Sequence, residues 1–389
     1  MRQGGHWPEA LLQTSLDSPA IAEQNASIAR PGGAEQTTKS RISSQDGPVS
    51  KRFLWSAFKY GLGIVLLAYV VWANRKGLAE VWGQPIHYGP FVLAACIGVA
   101  AVLLTFVRWY ILVRAQDLPF TLANALRLGL IGYFLSTFLP GSIGGDIIKA
   151  AFIAKEQSRR TVAVATVLID RAIGLWGLIW LVALLGGVFW VGGFLEGTAE
   201  KALQSIVLAA AGILALSVVT WVLLGWLPEW RAQRFARRLT RIPKIGHSLA
   251  EFWRAVWMYR CRQKSVALAL LLALVGHVGF VLNYYFASRT LYDAEQIPSL
   301  AEHFLVVPIG MAVQAGFPAP GGIGGGEAVF GALYALVDFE YAKGVLMSLV
   351  YRVITWMLGF AGYLVYLRMK PALTARADAS TAGDDNGNA

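Results

Sequence analysis

The sequence predicts an all-α polytopic membrane protein: about six full transmembrane helices and two re-entrant helical hairpins, arranged as an inverted repeat. Three observations predict it. The 389 residues are 56% hydrophobic and only 15% charged, whereas soluble domains carry about a quarter charged residues. Several apolar runs reach the ~20 residues that a helix needs to cross the hydrocarbon core. Finally, one glycine-rich phrase occurs twice, as PGSIGGDIIKA from Pro140 and PGGIGGGEAVF from Pro320.

Residues 1–50 are polar, rich in Ser, Gln, Gly and Ala, and lack both periodicity and the apolar core of a signal peptide. Such composition cannot bury enough apolar surface to fold, so this stretch is expected to be a disordered tail. Residues 371–389, ending DDNGNA, read the same way. Between them lies a membrane domain, 51–370, with apolar segments at about 54–74, 89–113, 121–139, 161–191, 203–227, 265–287, 300–317 and 345–367. The glycine phrases follow the third and the seventh. Each leads into a short apolar stretch, 147–154 or 328–337. As helix these cover roughly 12–15 Å, half a bilayer. Each phrase therefore reads as the tip of a hairpin that enters and leaves on one side.

Basic residues set the orientation, because Lys and Arg concentrate in cytoplasmic loops. Lys51 and Arg52 precede the first span, Arg114 follows the second, and KEQSRR and RMKPALTAR follow later ones. The loop 228–264 carries ten Lys/Arg against two acids. The acidic loops GGFLEGTAEK and RTLYDAEQIP, with the DFE at 338–340, fall on the other side, and Arg75 with Lys76 is the one misplaced pair. The pattern closes with both termini cytoplasmic only when both phrases are hairpin tips. Segments 89–187 (repeat A) and 265–367 (repeat B) then become two opposed copies of span, hairpin and span. Inverted repeats with helices broken at the midplane are an architecture of secondary transporters. Non-helical backbone at that depth is tolerated only where protein or a wet cavity surrounds it.

The chemistry-bearing residues cluster at these phrases. Asp146 and Glu327 follow the glycines, and 25 residues beyond each lies an arginine inside the next span, Arg171 and Arg352. A charged side chain at the bilayer centre costs roughly 2.5–3.5 kcal/mol on insertion scales, so two repeated acid–arginine sets are expected to have a role. Half-helices starting at Gly144 and Gly145, and at Gly324 and Gly325, would aim free N–H groups at the midplane. Gly141 and Gly321, lacking Cβ, would let a headgroup approach the backbone. Arg171 and Arg352 offer forks suited to phosphate. The competing reading makes Asp146 and Glu327 structural staples that complement their own helix ends and neutralise the arginines. Lys149 divides between an intrahelical ion pair with Asp146 and a headgroup contact. Gln314 divides between lining the cavity and joining helices. Arg108 and Arg127 are expected to snorkel, and His277, Asn283 and His303 to be structural.

Within 228–264, Ala232, Phe235, Ala236 and Leu239 share one helical face with Arg231, Arg234 and Arg238 opposite, and Leu249, Phe252, Trp253, Val256 and Trp257 repeat the pattern. This reads as a basic amphipathic cytoplasmic loop anchored on the inner leaflet. The net charge of +11 is then explained by anionic lipid rather than nucleic acid. Cys96 and Cys261 offer neither a disulfide framework nor metal-ligand spacing. No metal and no cofactor is expected.

The motifs FLPGSIGGDIIKA, DRAIGLW, PAPGGIGGGEAVFGALY and YRVITW together resemble the lysylphosphatidylglycerol synthase transmembrane family, flippase-like membrane proteins, over about residues 50–370. Larger members add a soluble domain that transfers an amino acid from tRNA to phosphatidylglycerol; with only a tail after residue 370, that activity is not implied here. The resemblance implies movement of lipid between leaflets. Ser142 and Lys149 stand where glycine and arginine are expected. The functional expectation is a flippase-like transporter, not an enzyme, in a bacterial-type inner membrane. Its cargo would be an anionic phospholipid, an aminoacyl-lipid or a lipid-linked glycan. Two alternatives stand beside it. One is a polyprenyl-phosphate-dependent transferase, although the first outer loop offers only Glu80 and no DxD. The other is a non-catalytic partner of a glycosyltransferase or lipid-modifying enzyme.

Overall fold

The computed structural model describes residues 85–385 apart from 139–143, 158, 194–199, 244 and 318, together with scattered positions between 61 and 79. Among the described residues every regular element is helical. The first group is α1 (Tyr88–Arg114), α2 (Leu122–Phe138), α3 (Gly144–Glu156) and α4 (Arg160–Val191). Then come α5 (Glu200–Trp226), α6 (Glu229–Leu239) and α7 (Gly246–Cys261). The last group is α8 (Gln263–Ser288), α9 (Leu300–Gly316), α10 (Gly325–Leu336) and α11 (Tyr341–Asp385).

Five helices, α1, α4, α5, α8 and α11, are long and apolar enough to cross a membrane. The first expected span, 54–74, falls almost wholly outside the described residues; the described positions from 61 to 79 are helical. The expected tail 1–50 also lies outside them. Beyond residue 370, expected to be without structure, α11 runs on to Asp385. The alanine-rich run there has the helix propensity to continue a span that is already nucleated.

Each glycine phrase lies between two helices of unequal length, α2 and α3 in the first case and α9 and α10 in the second. The shorter helices α3 and α10 have 13 and 12 residues, about 18–20 Å each, and begin at the glycines. α2 packs on α3, and α9 on α10. The packing between the two groups is reciprocal: α2 lies on α11, and α9 on α4. The most extensive interface joins α1 to α8. These two run antiparallel, since His87 N–H donates to the Thr290 carbonyl at 3.0 Å while Asn283 Nδ2 donates to the Ala94 carbonyl at 2.8 Å. Small residues allow the approach: Gly279 faces Ala101, and a side chain at Gly98 would strike Asn283. That is how helices associate in lipid, where closeness and buried hydrogen bonds replace the hydrophobic drive. Asn283 is thus structural, as expected.

Each hairpin shares a core with the span that follows it. Trp109, Leu128, Ile153 and Val167 belong to one cluster; Tyr284, Phe330, Tyr334 and Met347 belong to another. By contrast α5 leaves Leu208, Leu216 and Leu223 more than half exposed, the surface a lipid-facing helix presents.

Candidate functional site

Each acid sits at the third position of its short helix, Asp146 in α3 and Glu327 in α10. Each arginine lies eleven residues into the following span, Arg171 after Arg160 and Arg352 after Tyr341. That is about 17 Å from the helix start, so the repeated spacing translates into repeated depth. In both copies the pair closes: Arg171 Nε donates to Asp146 Oδ2, and Arg352 Nε to Glu327 Oε1.

The environments then diverge. Glu327 is 0% and the Arg352 side chain 5% exposed. The second carboxylate oxygen of Glu327 accepts from Gly324 N–H at 2.7 Å, and Arg352 Nη1 donates to the Gly321 carbonyl at 3.2 Å. Gln314 Nε2 donates to the same carbonyl at 3.3 Å while its Oε1 accepts from Tyr284 O–H. Tyr284 stacks on Tyr351 with ring centres 4.0 Å apart. The turn itself needs glycine: Gly321, Gly322 and Gly324 all have positive φ, from 55° to 80°, a region side chains rarely occupy. Gly325 and Gly326 lie against Phe317 and Gln314. The approach their missing Cβ atoms permit is therefore by protein. This tip is a closed, satisfied unit.

In the first copy the Arg171 side chain is 40% exposed, with Asp146 at 14% and Lys149 at 15%. Lys149 Nζ lies 3.5 Å from Asp146 Oδ1 and near the faces of Phe106 and Trp109. One carboxylate thus faces two cations. Residues 139–143, Gly141 and Ser142 included, lie outside the described residues. Gly144 opens α3, and Gly145 packs so tightly on α2 that a Cβ would overlap the Gly132 carbonyl oxygen. The second tip lies beside the end of this hairpin's incoming arm. A Cβ on Gly321 would stand 3.2 Å from the Thr137 carbonyl oxygen.

Arg108 corrects an expectation. It does not snorkel; it is 7% exposed, and its Nε donates to Asp170 Oδ1 at 2.7 Å. The signal was present, because a span carrying adjacent charges, Asp170 and Arg171, needs two partners. Arg127 is exposed. His277 is bound to the Gly174 carbonyl at 2.8 Å, and His303 to Ser299 and Tyr334. The Tyr284–Tyr351 stack was not legible, because it pairs residues from separate spans. Among the described residues no cluster of His, Cys, Asp and Glu could hold a metal.

A family model described as the lysylphosphatidylglycerol synthase TM region matches residues 58–362. UPF0104 membrane protein PH1989 of Pyrococcus horikoshii is 24% identical over 338 residues, covering 81% of this chain and 97% of that protein. No solved structure matches.

Proposed function

We propose, from the premise that this chain belongs to the family of lysylphosphatidylglycerol synthase transmembrane regions, that it moves an anionic lipid between leaflets and is not itself an enzyme. The observation that carries the reading is the first copy's cluster. Arg171, well along a membrane-crossing helix yet 40% exposed, and Lys149 both pair with the carboxylate of Asp146 among the described residues. The surplus positive charge suits a lipid phosphate, and partial exposure lets a headgroup compete for the guanidinium fork. Glu327 and Arg352 are assigned as the staple that holds the second tip. The hairpins act as re-entrant units of an inverted repeat, a reading supported by the antiparallel α1–α8 pair and the reciprocal packing.

The test is transport of a labelled phospholipid in proteoliposomes. Arg171→Lys keeps the charge and loses the fork; transport is expected to fall roughly 10–100-fold, the worth of one charge-assisted hydrogen bond, with unfolding unchanged. Arg352→Lys should instead lower the unfolding temperature, because an ammonium cannot span both Glu327 and the Gly321 carbonyl. Wild-type transport by Arg171→Lys would sink the proposal.

The proposed orientation places both termini in the cytoplasm of a bacterial-type inner membrane. With Cys96 and Cys261, both exposed, replaced by alanine, a cysteine at Gly197 should react with an impermeant maleimide from outside. One at Gln233 should not. Reversed labelling would invert the topology.

A further inference from the structure

The basic loop, which the sequence reads as one or two amphipathic helices, folds into two helices packed on each other, α6 and α7. Ala232 and Ala236 of α6 are 3% and 2% exposed, Phe235 meets Trp253 edge-on at 4.8 Å, and Trp253 Nε1 donates to the Ala232 carbonyl at 3.0 Å. Much of the apolar face is therefore used against α7. What remains outward is a row of arginines. Arg231, Arg234 and Arg238 recur at helical spacing along α6, and Arg241 follows in the turn beyond it. None has a carboxylate partner among the described residues. The single acid of α6, Glu229, accepts instead from Gln233 at 3.1 Å.

The row borders a groove of about 510 Å³ whose floor includes Trp230, Phe235 and Trp253. Arg231 and Arg234 both lie 5.0 Å from the Trp230 ring centre. Stacking of this kind orders the guanidinium groups while leaving their N–H edges open. Trp230 and Phe235 stay 51% and 44% exposed. The groove begins at Leu227, the residue after α5 ends at Trp226, itself 80% exposed, so it sits at the level where a membrane-crossing helix meets the interface.

We propose that this groove is a headgroup site for an anionic phospholipid of the cytoplasmic leaflet. Arg231, Arg234 and Arg238 take the phosphate, and the aromatic floor takes the upper part of an acyl chain. Charge complementarity and adjacency to the span select a lipid over a soluble acidic partner. The inference rests on the proposed topology but not on transport, and its test requires no transport.

Full-length protein in a neutral detergent is titrated with phosphatidylglycerol brominated in its acyl chains, and quenching is compared with that of the Trp230→Phe variant. Brominated phosphatidylglycerol is expected to quench the Trp230 component, and brominated phosphatidylcholine to do so at least tenfold more weakly. Glycerol phosphate, the headgroup without chains, should not compete at the same concentration. Arg234→Gln with Arg238→Gln should weaken binding roughly 30-fold, from the ordinary worth of a basic side chain at an anionic surface. Should that variant misfold, the wild type still decides, because its phosphatidylglycerol affinity must fall steeply with added salt. Equal quenching by both lipids would overturn the proposal, as would full competition by glycerol phosphate or by a polyglutamate peptide. If these fail while Arg171→Lys still abolishes transport, only this site is lost.

Discussion

Replacing Glu327 with alanine is expected to destabilise the solubilised protein by roughly 3–5 kcal/mol, the cost of leaving a buried charge without its partner. Arg352 is 5% exposed and cannot turn to water when the carboxylate goes. The variant also strands Gly324 N–H, which now bonds Glu327 at 2.7 Å; an unsatisfied buried donor costs a further ~1–3 kcal/mol. The double variant Glu327→Leu with Arg352→Met should recover much of the loss, because it removes both charges and keeps the volume. Thermal unfolding in one detergent measures all three. Asp146→Ala supplies the contrast. Arg171 is 40% exposed and water can solvate it, so that loss should be distinctly smaller. Equal losses at Glu327 and Asp146 would show that the two sets are not one staple and one open site.

The second large effect is expected at Gly145. A methyl group there overlaps the carbonyl oxygen of Gly132 on α2. Because the obstacle is backbone, no side-chain rotation relieves it, and the two arms of the first hairpin must separate. Overpacking of this kind costs about 1–3 kcal/mol, occasionally more. The separation would also shift Asp146 and Lys149, one and four residues further along α3. Gly187→Ala in α4 is the control, since nothing stands within 4 Å of its Cβ position. Alanine there should be neutral, or stabilising by up to about 1 kcal/mol through helix propensity. A Gly145→Ala protein as stable and active as Gly187→Ala would remove the close hairpin from the account.

The sequence by itself determined the helices. Apolar length marked α1, α4, α5, α8 and α11, and the glycines marked where α3 and α10 begin; before α10 the reason is visible, because a helix cannot run through the positive φ of Gly321, Gly322 and Gly324. Spacing also determined the acid–arginine pairs: the 25 residues from Asp146 to Arg171 and from Glu327 to Arg352 carry each chain from a hairpin return into its next span. Only the tertiary structure decided that the two pairs are not equivalent. Burial depends on what other segments bring alongside. Tyr284 from α8 and Gln314 from α9 close over the second tip, whereas the first leaves Arg171 partly open. The same reason governs Arg108, which reads as a snorkelling side chain until α4 brings Asp170 within 2.7 Å. It governs the basic loop too, where the apolar faces of α6 and α7 were both legible while their packing on each other was not. Periodicity in one segment reports which face is apolar, and only the neighbouring helix determines whether lipid or protein covers it.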